Sequence, residues 1–381
     1  MLGGCAATEA SSPASATPQT PAPSASATRL LAVDMHNHVY PAGTEPHPHR
    51  APHGGPPREG PPHGAPPREG PPRDEEQGPA LSIAEELKRS GLTAVCASFV
   101  LDFAPNNAPG DARANYLRWL AAIDAELAKG GIRRALSLAD LQAAHAEGRP
   151  TIIQTVEGAQ FIEGQLARVE EVYGRGVRHL QLLHESDDKV SPLGDTNTAP
   201  AHLGGLTPFG VEVVKECNRL GILVDLAHAS HETVLGALKV ATQPLVVSHT
   251  SLDTWTGKNE RLAAMMKPRL ISKEHAKVVA DAGGVIGVWT HMAGSLEELV
   301  GSIKAMVDAV GVDHVGLGSD TDLLASRVGK GTNVAWSGLT GGFFEAIAGQ
   351  MRRDGFANDE IAKIAGGNYC RVFGKVTAGH A

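Results

Sequence analysis

The chain has 381 residues, 42% hydrophobic and 20% charged, and a formal net charge of −8 at pH 7. That composition supports a substantial buried core and excludes disorder of the whole chain, while an acidic balance without a long Lys/Arg run excludes a phosphate-binding surface, so no nucleic-acid partner is expected. The four cysteines, Cys5, Cys96, Cys217 and Cys370, form no CxxC pair, which argues against a zinc ribbon or redox motif, and no apolar run approaches the roughly 18 to 20 residues of a membrane-spanning helix.

Residues 1–29 open the chain as a low-complexity leader of Ala, Ser, Thr, Pro and Gly, a composition that buries too little apolar surface to offset the entropy of ordering and predicts a disordered tether. Its start, Leu2-Gly3-Gly4-Cys5, resembles a bacterial lipoprotein cleavage box, in which the cysteine becomes the lipidated first residue. A lipid anchor through Cys5 is therefore expected, and with it a place in the cell envelope, anchored or periplasmic. If the leader is not a signal, the expectation becomes a cytoplasmic protein.

A first strand is predicted over Leu30–Met35, running into His36-Asn37-His38. A Pro/Gly/His-rich stretch comes next, whose tandem decapeptide PHGGPPREGP and PHGAPPREGP forbids helix and ladder alike. Two units are too few for a solenoid, so residues 43–78 read as a loop inserted after the first strand, with His47, His49, His53 and His63 as solvated bystanders.

Beyond the insert, short apolar runs alternate with amphipathic segments, the pattern of β/α units and a parallel sheet. Strands are expected at Leu92–Leu101, Thr151–Val156, Val177–Leu183, Leu223–Ala227, Leu245–Ser248, Val285–Trp289 and Val315–Gly318. Helices are expected at Ala112–Lys129, Glu163–Arg175, Pro208–Leu220, His231–Val240, Ser272–Ala282, Leu296–Val310 and Thr340–Asp354. Eight strands in this alternation predict an α/β fold, an eight-stranded (β/α) TIM-type barrel over residues 30–375 with a tail at 376–381.

Such barrels carry their chemistry where strands end at the C-terminal face. Six strand ends here carry imidazole or carboxylate: His36 and His38, Glu157, His184, His228, His249 and Asp320. Burying that many polar groups without a charge to bind would be costly. His36 and His38, two apart on an extended strand, point to one side and reach one ion. His228 and His249, on adjacent strands, grip a second. Glu157 has two oxygens and can bridge the ions at the ~3.5 to 4 Å spacing of two-metal hydrolysis. Imidazole with carboxylate suits zinc best, although manganese, iron or cobalt fit the same donors.

The stretches VDMHNHVYP, TVEGAQFI, GVRHLQLLHES, GLTPFGVEVVKECNRLGILVDLAHAS, PLVVSHTS, PRLISKEH with GGVIGV, and GLGSDTD together resemble the membrane (renal) dipeptidase family of the metal-dependent amidohydrolase superfamily, over roughly Ala32–Phe373. The resemblance implies a binuclear metallo-dipeptidase that hydrolyses dipeptides bearing a free C-terminal carboxylate through a hydroxide bridging two metal ions. It implies His36, position 38 and Glu157 at the first metal and Glu157, His228 and His249 at the second. It further implies His184 on the substrate carbonyl, Arg269 on the substrate carboxylate, and Asp320 as general base and acid; Arg261 is the reserve candidate for the carboxylate. The family usually places Asp where this chain has His38, and Thr321 and Leu323 depart from its usual aromatic and glycine. Two readings compete: another superfamily hydrolysis (N-acyl-amino-acid, lactone or phosphotriester), and a catalytically inactive surface-binding lipoprotein. The sequence leaves a homodimer open.

Overall fold

A computed structural model describes residues 29–39, 82–102, 108–186, 190–257, 260–323 and 342–380. The insert at 43–78 and Cys5 lie outside the described residues. The chain divides into two units, residues 1–30 and 31–381, and the second unit contains every strand and helix described below.

Eight parallel strands form the sheet: β1 Val33–His38, β2 Ala94–Ser98, β3 Thr151–Gln154, β4 His179–Gln181, β5 Leu223–Asp225, β6 Val246–Thr250, β7 Val285–Val288 and β8 Val315–Leu317. They are ordered β3-β2-β1-β8-β7-β6-β5-β4. The two ends of that order meet through a parallel bridge between Gln154 and Val177, which nearly closes the barrel. The α/β barrel read from the alternation of elements is thus the observed fold.

Helices between the strands start and stop on local signals. The helix Pro208–Leu220 begins at Thr207, whose hydroxyl accepts from Gly210 N, carries Pro208 in its first turn, and ends on Gly221 at φ +75°. Ser230, Ser272 and Ser295 cap the helices His231–Val240, Lys273–Asp281 and Leu296–Val310 in the same way.

The helices Ile83–Ser90, Leu138–Glu147, Glu260–Met266 and Asn358–Ala362 were not expected from the sequence, and two further differences bear on the site and the core. The first strand does not stop at Met35 but runs to His38, because Asn37 and His38 find partners on both sides: Ala97 and Ser98 of β2, and Thr321 and Asp322 of a two-residue strand, β9. The C-terminal part of the chain, assigned no element from its sequence, forms the helix Asn368–Thr377. Its Tyr369, Cys370, Val372, Phe373 and Val376 pack against Val33, Ala94, Leu223, Val246 and Val285 from the barrel strands. Among the described residues no helix is long and apolar enough to cross a membrane.

Candidate active site

The candidate residues converge at the C-terminal ends of the strands. Glu157, fully buried, stands at the centre. Its Oε1 faces His228 Nε2 at 3.3 Å and His249 Nε2 at 3.4 Å, and its Oε2 faces His38 Nε2 at 3.4 Å and His36 Nε2 at 3.6 Å. Within each histidine pair the Nε2 atoms are close, 3.3 Å for His36 and His38 and 3.0 Å for His228 and His249. Two nitrogens bound to one tetrahedral zinc at about 2.0 to 2.1 Å would lie about 3.3 to 3.4 Å apart, so both pairs have near the spacing that such an ion imposes. Although Oε2 of Glu157 is buried, no donor among the described residues hydrogen-bonds to it. A buried carboxylate oxygen without a donor is costly unless a cation takes the donor's place. Three groups here are compact enough to hold an ion: His36, His38 and Glu157; Glu157, His228 and His249; and His36, His249 and Asp320. The donor set therefore fits divalent metal.

Asp320 places Oδ1 2.8 Å from His38 Nε2 and 3.8 Å from His36 Nε2. Its backbone and that of His228 are held at φ +54° and φ +65°, a region non-glycine residues seldom occupy. Both lie just beyond strand ends, and strain retained at two converging polar residues is a mark of a functional site. Burial works against the charge of Glu157, but the positive fields of His184 and His36 hold its carboxyl well below the usual range. Burial likewise opposes the ionisation of Asp320, which is overcome by the charges of His291 and His249 and the contact with His38. For His38, burial acts to lower the pKa, yet Asp320 and Glu157 raise it to about 9. Glu157 and Asp320 thus both stay ionised, with imidazoles facing each of them.

A second layer orients the histidines. Asp34 on β1 accepts from the backbone N of His36 at 3.2 Å and of Ser319 at 2.8 Å. Asp225 on β5 makes the equivalent pair of contacts, from Ala227 N at 3.0 Å and Ser248 N at 2.9 Å. Each aspartate thus fixes the backbone at or just ahead of one site histidine on its own strand, His36 or His228, and the backbone just ahead of Asp320 or His249 on the next. Burial pushes the Asp34 carboxyl up to about 6, against the hydrogen bonds from Ser319. Burial also opposes the charge on Asp225, but His179, 3.1 Å away, outweighs it and holds the pKa at about 2. His249 Nδ1 lies 3.0 Å from Ser248 Oγ, and outer partners of this kind set the tautomer and angle of a metal-binding imidazole.

The two strand ends for which no site residue was expected also carry one each. Asp102, after β2, sits 2.6 Å from His184 Nδ1 and also accepts from Ser186 N and Oγ, both at 2.9 Å. It thereby aims His184 Nε2 at Glu157 Oε1, 3.7 Å away. Burial alone would lower the pKa of His184, but the charges of Asp102 and Glu157 raise it to about 10. His291, after β7, places Nδ1 3.3 Å from Asp320 Oδ2. Strand-end position was the available signal for both, since each comes at the close of an apolar run. Asp34 and Asp225 were visible too, as lone carboxylates inside VDM and VDL.

Arg269 lies at the rim, in the turn Lys267–Arg269, and its Nε reaches Glu185 Oε1 at 2.6 Å with Nη2 on the same oxygen. Glu185 adjoins His184, so the guanidinium is beside the site with its fork held by a carboxylate. Arg261 is exposed on the helix Glu260–Met266.

Comparison with known proteins adds the context of a family. A family model of the membrane dipeptidases, peptidase family M19, matches residues 76–380. An uncharacterized dipeptidase of Schizosaccharomyces pombe is 29% identical over 237 residues, covering 60% of this chain and 53% of that protein. Dipeptidase verJ of Clonostachys rogersoniana is 28% identical over 236 residues, covering 60% of this chain and 56% of that protein. The chain thus spans about half the length of the curated relatives it matches. Among solved structures, the probable dipeptidase PvdM from Pseudomonas aeruginosa superposes with a TM-score of 0.69 at 18% identity, covering 92% of this chain and 96% of that one. A metallo peptidase from Rhodobacter sphaeroides, liganded with a phosphinate mimic of L-Ala-D-Ala, gives 0.61 at 19% identity, covering 76% and 89%. These two likenesses establish the shared fold.

Proposed function

This chain belongs to the membrane dipeptidase family, and from that premise we propose that it is a binuclear metallo-dipeptidase acting on dipeptides with a free C-terminal carboxylate. The observation that carries the reading is Glu157, buried between two histidine pairs with one oxygen toward each. His36, His38 and Glu157 would hold one ion, and Glu157, His228 and His249 the other. Zinc is the ion we propose, from the imidazole-rich donor set and the spacing of the Nε2 pairs. When bound, such a metal pair supplies a water of lowered pKa and a Lewis acid beside the scissile carbonyl.

The protein's own groups do the remaining work. His184, aimed by Asp102, presents Nε2 to the carbonyl oxygen and stabilises the negative charge that develops on it. Asp320 takes the proton that the attacking water loses as its oxygen bonds to carbon, and delivers it to the amine nitrogen as the C–N bond breaks. Atoms and charge balance over that transfer without a covalent intermediate. At the rim, a substrate carboxylate exchanges with Glu185 for the Arg269 fork and accepts two parallel hydrogen bonds. That requirement selects short substrates ending close to the scissile bond.

A substrate screen on metal-depleted and zinc- or manganese-loaded protein tests the proposal. Dipeptides should be hydrolysed by the loaded protein only, and dipeptide amides, which lack the carboxylate, at least about 10-fold more slowly. Preferential turnover of lactones or phosphotriesters would assign the site to another reaction of the superfamily, and no turnover of any substrate would leave a binding protein.

A further inference from the structure

His291 has no part in holding metal or in the proton transfer to the amine, yet it stands at the end of β7 facing Asp320. Its Nδ1 lies 3.3 Å from Asp320 Oδ2, while the other carboxylate oxygen, Oδ1, is 2.8 Å from His38 Nε2. Asp320 is therefore held by one imidazole at each oxygen, one from the deep side of the site and one from its mouth, where the His291 side chain is 41% exposed. The His291 ring is itself fixed. It packs on buried Trp289 with centroids 4.9 Å apart, and Trp289 in turn lies against His249 at 6.0 Å. A ring braced in this way keeps its nitrogen facing the carboxylate.

We propose that His291 is a positioning residue for the reaction: by presenting Nδ1–H to Oδ2 across their 3.3 Å contact, it sets the rotation of the Asp320 carboxylate so that Oδ1 stays turned toward the attacking water. The physical reason is the short leash of an aspartate. Its carboxylate rotates about one bond, and Asp320, just ahead of β9 on a backbone held at φ +54°, has His38 against Oδ1 and His291 against Oδ2. Without a partner on Oδ2 the carboxylate is held at Oδ1 alone and can pivot there, and the proton acceptor is correctly placed for only part of the time. The inference rests on Asp320 being the proton carrier of the proposed reaction.

Two substitutions separate the hydrogen bond from the packing. In His291→Asn the side-chain amide nitrogen falls near the position of Nδ1 and keeps the donor. In His291→Phe the ring keeps its tilted packing on Trp289 but the donor is gone. We expect His291→Phe to lose at least about 10-fold in kcat, within the range for outer partners of a metal site, with KM within about 2-fold and two metals still bound. We expect His291→Asn to recover kcat to within about 3-fold of the parent. Equal losses in both variants, or undiminished kcat in His291→Phe, overturn the proposal, and so does loss of metal from His291→Phe, which would make the residue part of metal retention. Asp320→Asn, assayed alongside, distinguishes the two levels. If it retains turnover, the role of Asp320 fails and that of His291 with it; if it is inactive while His291→Phe is not, only the inference about His291 fails.

Discussion

His38 and Asp320 stand side by side at the proposed first metal position. Where the resemblance implies Asp, a metal-bound His38 would bring a neutral imidazole and one negative charge fewer to that position. Asp320 stands 2.8 Å from that imidazole and forms a compact group with His36 and His249, so a carboxylate remains within reach of the position that lost one. Of the second pair, His249 also comes within reach of Asp320, whereas the carboxylate that His228 faces is Glu157. We therefore predict that His228→Ala lowers bound metal from about two ions per chain toward one and abolishes turnover, as a two-metal site requires both. Elemental analysis of the purified variant checks this; two ions still bound would remove His228 from the ligand set. Most of this site was legible residue by residue, because each ligand comes at the close of an apolar run. What the sequence did not disclose was partnership: nothing in LDF or WTH says that Asp102 would meet His184 across 82 positions or that His291 would meet Asp320.

At the level of elements, the ends of β6, β7 and β8 are held by two glycines. A Cβ on Gly287 would come within 1.8 Å of the Ser248 carbonyl oxygen, and one on Gly318 within 1.9 Å of the same atom. The end of β6 therefore approaches its neighbours more closely than any side chain permits, and the next residue is His249. The register shift in the β6–β7 pairing between Val247 and Thr250 spans this position. Gly318→Ala should force β6 outward, costing about 1 to 3 kcal/mol, as overpacking in a tight interior does, and should weaken metal retention through the displaced His249. Denaturant melts and metal analysis of the variant measure both effects, and a variant with parental stability and metal content would show that the strands do not approach so closely. GGVIGV and GLGSD were visible as motifs, but the reason for their glycines is contact between strands 39 and 70 residues away from Ser248, which no local pattern encodes.

Across the whole molecule, the alternation of apolar runs and amphipathic segments was enough to count eight strands and deduce a barrel, because a buried parallel strand must be short, apolar and followed by its crossover. The C-terminal helix Asn368–Thr377 escaped the same reading. Its polar and apolar residues alternate about a face that becomes recognisable only once the barrel strands it covers are in place. Beside that apolar packing a buried polar chain runs from Cys96 through Tyr369 and His179 to Asp225, with steps of 3.2, 3.1 and 3.1 Å. The aspartate that ends it braces the backbone ahead of His228 and His249, so the helix at one face of the barrel is linked to the site at the other. The barrel, in the proposed function, serves to hold two ions on either side of one carboxylate. The most direct measurement is a titration of metal-depleted protein with zinc while dipeptide hydrolysis is followed. We predict no turnover without metal and activity that rises to a plateau at two equivalents per chain. Full activity in the depleted protein, or a plateau at one equivalent, would contradict the two-metal site.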